Sequence, residues 1–407
     1  MVPPAVADHD EGHDATGPPA GRLDAAAEPG SADSVAGDDF DGIGGHGSSV
    51  PTGATGPTDT ADAADAASTP ETHDEAGASP LVAAVLDGRR GDARALLARG
   101  ADPDASGLVL AELIVEAGHG VDALSVISIT PLIAAVQRGD DAMVATLLGA
   151  GAAPDAATRE GMTALLRAAF ENRSTAATRL LGAGADAGAL APVFAELLLA
   201  EGIGESFGVE AGTEIDCAPL HAAVQADSTD VARVLIEAGA DVDARMNGAF
   251  SPLFIAAYEG RGEMTRLLIA SDADVDLSEP GGETPLLTAI HENKKSVAEI
   301  LIAAGADPTR ATDEGETPLR VAVEKNNKAI AERLIGRGAD PLATDADGWT
   351  LLHLAASRGH RPVAELLIAS GVDVNSATPV GATPLALAVH NGNTAMAELL
   401  RSHGATE

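Results

Sequence analysis

DADGWTLLHLAASRGHRPVAELLIASGVDVN, from Asp345 to Asn375, is the stretch that decides the fold. Asp345-Ala346-Asp347-Gly348 reads as a turn, because Gly348 can take the positive φ that a tight hairpin needs. Thr350 is placed to cap a helix running from Leu351 to about Ser357, with Leu352, Ala355 and Ala356 on its inward face. Gly359-His360 interrupts that helix, and Pro362 suits the first turn of the next one. Leu366, Leu367 and Ile368 give the second helix its apolar ridge, and Gly371 closes it. Neither helix reaches the about 12–15 residues at which an isolated helix becomes stable in water. Such a unit needs copies of itself to lean on.

The copies are present. Anchored at the position of Leu351, they begin at Pro80, Pro131, Ala164, Pro219, Pro252, Pro285, Pro318, Leu351 and Pro384. The step is 33 residues from Pro131 to Ala164 and at every step from Pro219 onward; the other two steps are 51 and 55. The second helix and its exit repeat as well, for example ALLARGADPDA (95–105), VLIEAGADVDA (234–244) and ILIAAGADPTR (300–310). A 33-residue period carrying T-P-L-H-x-A-A and L-L-x-x-G-A-D resembles the ankyrin repeat. The resemblance implies an all-α repeat protein, an ankyrin-repeat α-solenoid of about nine helix-turn-helix repeats with β-hairpin fingers. It would fill residues 79–407.

Composition fits a one-dimensional stack, since 45% of residues are hydrophobic but only 2% are aromatic. The single cysteine, Cys217, excludes an internal disulfide framework and a Cys-based zinc site, and reads as a small buried residue. No run of residues is apolar enough to cross a bilayer, and MVPPAVADHDEGH lacks the basic and apolar regions of a secretory signal. The expectation is a cytoplasmic protein. Its net charge of −37 argues against nucleic-acid phosphates as ligands, and two readings of it stay open: attraction to a basic protein partner, and a general acidic bias of the source's proteins.

Residues 1–78 hold 12 Asp and 4 Glu against Arg22 alone, so they carry −15 of that charge. Too poor in apolar side chains to offset chain entropy, they are expected to form a disordered acidic tail. Gly42-Ile43-Gly44-Gly45-His46-Gly47 spells G-x-G-x-x-G, but without a strand before it or a helix after it the match carries no nucleotide site. His9 and His13 among Asp8, Asp10 and Asp14 read as solvated tail residues, not as metal ligands. No cofactor or metal is expected.

The long steps contain insertions near 106–128 and 188–214. LAELIVEAGHG (110–120) and FAELLLAEGIG (194–204) align with one another. Leu110, Leu113, Ile114 and Ala117 fall on one helical face, which predicts an amphipathic helix projecting from the finger edge. Repeat three departs from the pattern at Ala164 and at Asn172-Arg173, so its junction with repeat four is the expected weak point.

The resemblance implies that a partner is held on the concave face, by the finger tips and the exposed pair that ends each inner helix. The positions so implied are Phe170, Glu171, Tyr258, Glu259, His291, Glu292, Glu324, Lys325, Ser357, Arg358, His390 and Asn391 on the helices, and Phe250, Glu283, Glu316 and Trp349 on the fingers. Phe170, Phe250, Tyr258 and Trp349 are four of only eight aromatics and are expected to be exposed. No hydrolase, kinase, P-loop or zinc-protease motif occurs, and His221 and His353 occupy the T-P-L-H position, where the family bonds neighbouring backbone. The expected function is a non-enzymatic protein-binding module acting as a monomer. Two alternatives stay open: a scaffold that self-associates through the inserted helices, and an acidic mimic that occupies a basic partner.

Overall fold

The computed structural model describes residues 79–110, 126–194 and 214–406. The acidic tail, most of each inserted segment and all but the first residue of the helical stretches expected at 110–120 and 194–204 lie outside these residues. Among the described residues, nine helix pairs follow one another, from Pro80–Leu86 with Arg90–Ala98 to Pro384–His390 with Thr394–Ser402. Within repeat eight the inner helix is Leu351–Arg358 and the outer helix Arg361–Ala369.

Local sequence sets each boundary. Thr350 is extended (φ −88°, ψ 164°) and its side chain accepts the His353 N–H, as Thr130, Thr163, Ser251, Thr284, Thr317 and Thr383 do in their own repeats. Gly359 ends the helix at φ +72°. Nine such left-handed residues join the helix pairs, and four are not glycine: Asn172, Asp227, Asn293 and Asn326, at φ +52° to +55°. Short polar side chains tolerate that conformation, so the turn survives where the Gly is missing.

Packing then makes the stack. Leu352, Ala355, Ala356, Val363, Ala364 and Leu367 have no exposed surface in repeat eight, and the same slots are buried in every repeat before it that lies between two neighbours. Inner helices pack on inner helices along the whole series, and outer on outer from Asp141–Gly149 onward. Polar contacts tie neighbours at three further places. Where an inner helix ends, the following repeat supplies a donor for its orphan carbonyls: Arg173 to Gln137 O (3.2 Å), Arg261 to Gln225 O (3.3 Å), His360 to Val323 O (3.0 Å) and Asn393 to Ala356 O (3.1 Å). In the G-A-D loops, Asp104 accepts Ala153 N–H, Asp155 accepts Asp186 N–H, Asp243 accepts Asp274 N–H and Asp276 accepts Asp307 N–H, at 2.9–3.3 Å. In the fingers, buried Glu279 accepts from both the N–H and hydroxyl of Ser251 (3.1 and 3.0 Å) and pairs with Arg245 (2.9 Å).

Two expectations change. The insertions enter and leave as strands: β1 (Gly107–Leu110) pairs antiparallel with β2 (Val126–Ile129), and β3 (Ala191–Phe194) with β4 (Glu214–Cys217). Leu110 and Phe194 therefore close strands and do not start helices. Ordinary fingers are one bridge wide, such as Thr344↔Thr350; each insertion lengthens its finger into a two-stranded ribbon. The junction after repeat three is not a packing break either. Ala164–Phe170 packs on Pro219–Gln225, Ser174–Gly182 packs on Thr229–Glu237, and the described residues form one unit. What that junction lacks is the loop rung, because Gly188 stands where Asp104 or Asp243 would.

The burial of these two carboxylates differs, and so should their value. Glu279→Ala strands two donors at a buried site and should cost about 2–3 kcal/mol, against about 1 kcal/mol for Asp243→Ala in its more open loop. Urea-unfolding midpoints of the two variants measure the difference.

Candidate functional site

The inner-helix ends and finger tips of repeats five to nine form a polar strip built from side chains that reach between neighbours. In repeat six, His291 closes the inner helix Pro285–His291. Its Nδ1 lies 3.1 Å from Glu283 Oε1 on its own finger, and its Nε2 lies 3.1 Å from Glu316 Oε2 on the next. Thr288 donates to the same Glu283 oxygen at 3.1 Å. The adjacent carboxylate of Glu283, opposed by partial burial, raises the His291 pKa above its ordinary value.

One repeat further, Glu324 receives Arg358 at 3.3 Å and Arg320 at 3.6 Å, while Arg320 also reaches Asp345 at 3.3 Å. Asp345 is held in turn by the N–H groups of Trp349 (2.8 Å) and Asp347 (3.1 Å), which shape finger eight. Between fingers seven and eight a cleft of about 90 Å³ opens, lined by Trp349, Leu351, Leu354, Thr317, Arg320 and Asp345. Arg320 was missed by sequence reasoning. It fills the slot that His221 and His353 fill in their repeats, and its spacing of four from Glu324 was the available signal.

The sixteen positions implied by the sequence separate into groups. Glu283, His291 and Glu316 are brought together, as are Glu324 and Arg358, with Trp349 at the cleft beside them. Glu292, Lys325, His390 and Asn391 are exposed, and Asn391 donates to Ser357 O at 2.8 Å. Glu259 accepts from Gln225 at 3.2 Å. Phe170 and Glu171 lie in repeat three, where Glu171 pairs with Arg173 (3.2 Å) and with the buried Arg167 (3.6 Å). The four aromatics are not free-standing as expected; each is half-buried. Phe250 packs on Phe254 with ring centroids 5.4 Å apart, and Trp349 leans on His353 at 5.9 Å. An aromatic at a finger tip covers part of itself on the adjoining helix, which a position within a repeat does not reveal.

His221 and His353 are structural. His353 Nδ1 accepts the Thr350 N–H at 3.1 Å and its Nε2 donates to Ala382 O at 3.1 Å in the next finger. His221 makes the matching pair with Ala218 N–H (3.4 Å) and Ala244 O (3.0 Å). Both arrangements use the neutral ring. Burial accordingly lowers both pKa values, that of His221 to about 4. Cys217 is fully buried and its thiol is pushed up to about 12 by desolvation, so it is no nucleophile.

The family model described as ankyrin repeats (3 copies) matches residues 105–191, 193–279, 253–345 and 319–406. No curated protein matches the chain. No helix among the described residues is long and apolar enough to cross a membrane.

The His221 shift has a definite sign. The folded protein refuses a proton that the unfolded chain accepts below 6.5, so the stability from this group is complete above pH 6.5 and is lost as pH falls toward 4. The loss should approach about 3 kcal/mol. Unfolding curves recorded between pH 4 and 7 should show it, and His221→Gln should flatten that part of the profile.

Proposed function

We propose that this chain, which belongs to the ankyrin repeat family, holds a protein partner on the concave strip of repeats five to nine. Ankyrin repeats generally mediate protein–protein interaction, and the family is typically a non-enzymatic interaction module. The observation that carries the finer reading is the cleft between fingers seven and eight. There an aromatic wall, Trp349, stands beside side chains already fixed by ion pairs, so a partner meets a preorganised surface. Exposed Glu292, Asp313, Glu314 and Asp347 near that strip favour a basic partner. The remaining positions, Phe170 and Glu171 included, belong to the same proposal as the edges of the concave face. The chain would act as a monomer in the cytoplasm.

Trp349 is the only tryptophan in the chain, so its fluorescence reports on the cleft alone. Affinity capture from a lysate of the source organism, using the full chain, should recover a protein that a Tyr258→Ala/Trp349→Ala variant does not. The purified partner should shift Trp349 emission, with an affinity that weakens as salt rises. Recovery of the same proteins by both baits would refute the reading.

A further inference from the structure

We infer that Glu283, His291 and Glu316 form a proton-dependent clasp between the fingers of repeats six and seven, closed by the doubly protonated imidazole and released when it loses one proton. The geometry makes the case. Each ring nitrogen faces a carboxylate oxygen at 3.1 Å. A neutral imidazole has one donor and one acceptor, so it satisfies only one of the two carboxylates and turns a lone pair on the other. The imidazolium donates to both. Thr288 fixes Glu283 from the side at 3.1 Å, which leaves the ring as the variable member.

The two fingers are close enough for this to matter. Asp313 N–H donates to Gly281 O across them at 2.8 Å, and a Cβ on Gly282, at φ +81°, would meet the backbone of Thr312 and Asp313 at 3.0 Å. On the loop edge this junction has no carboxylate rung. Thr309 stands in the rung position and turns its hydroxyl to Asp307 in its own loop at 2.7 Å. The clasp is therefore the side-chain link that joins repeat six to repeat seven on the finger edge, at a junction that lacks the loop rung present at junctions such as four–five and five–six.

Charges reach the ring from its own finger, from the next finger and from the next inner helix. Glu283 and Glu316 favour its protonation, and Lys325 on the inner helix of repeat seven opposes it. The preceding inner helix ends in Tyr258 and Glu259, and Glu259 is engaged with Gln225. The balance places the His291 pKa above 6.5. A raised value means that the clasp's stability is complete below 6.5 and is lost as pH rises through the folded pKa. Release leaves two carboxylates uncompensated, adding one negative charge to the strip. The effect of that charge on a partner rests on the groove reading; the clasp does not.

The test uses the free, full-length protein. His291 is identified among the eleven His ring resonances by its absence in His291→Gln. It should titrate above 6.5, and Glu283→Gln and Glu316→Gln should each move its pKa down. Hydrogen exchange of the Asp313 amide, corrected for intrinsic pH dependence, should lose protection through the same titration, and should show no such step in His291→Gln. Titration at or below 6.5, indifference to either Gln substitution, or constant Asp313 protection would each overturn the clasp. Because no partner is present, that failure would leave the groove reading untouched, and failed capture would leave the clasp untouched.

Discussion

Every feature of this protein follows from helices too short to stand alone. An inner helix of seven or eight residues and an outer helix of nine or ten have no independent stability in water. They persist because each pair buries its Leu, Val and Ala faces against its neighbours, on both sides for all but the first and last described pairs. A fully buried Leu or Val contributes about 1.5–3 kcal/mol, and repeat eight buries Leu352, Val363 and Leu367 completely. Alanine at positions such as 355, 356 and 364 lets helices approach closely, which explains a 45% hydrophobic chain with only 2% aromatics. Stability is thereby distributed along a line, and each junction must supply its own polar ties.

Part of the acidity is consumed by the loops and by those ties. Asp102, Asp241, Asp274, Asp307, Asp340 and Asp373 each accept the N–H two residues on, folding the G-A-D loop. Asp104, Asp155, Asp243 and Asp276 reach the next loop, and Glu279 is buried among finger donors. Net charge alone does not distinguish these from a binding surface. Junctions six–seven and seven–eight, where Thr309 and Leu342 interrupt the loop ladder, are the ones with His291–Glu316, Arg320–Asp345 and Arg358–Glu324 on the opposite edge.

The sequence made the repeat legible because its signals are local. A Thr cap, a Pro at the first turn, a left-handed Gly or Asn and a Leu ridge each act within one unit, and the 33-residue register multiplies them. The role of His353 was legible for the same reason. What escaped was non-local. GLVL at 107–110 meets VISI at 126–129 across an intervening segment, while the i, i+3, i+4 spacing starting at Leu110 favours a helix from within. Arg320 hid in a histidine slot: Glu324 lies four residues on along the same helix, but Asp345 and Arg358 join them only once two repeats are stacked. Half-burial of Phe250 and Trp349 escaped for a different reason: each ring folds back on one four residues later, Phe254 and His353, a contact that a finger-tip position does not reveal.

The central claim is one continuous stack through repeat three into repeat four, despite the insertion and the missing loop rung. Native-state hydrogen exchange tests it most directly, by comparing the inner helices Ala164–Phe170 and Pro219–Gln225 with Pro285–His291 and Pro318–Glu324. The account predicts comparable protection for all four. Markedly weaker protection of the first pair, with repeats one to three exchanging as a separate unit, would contradict it.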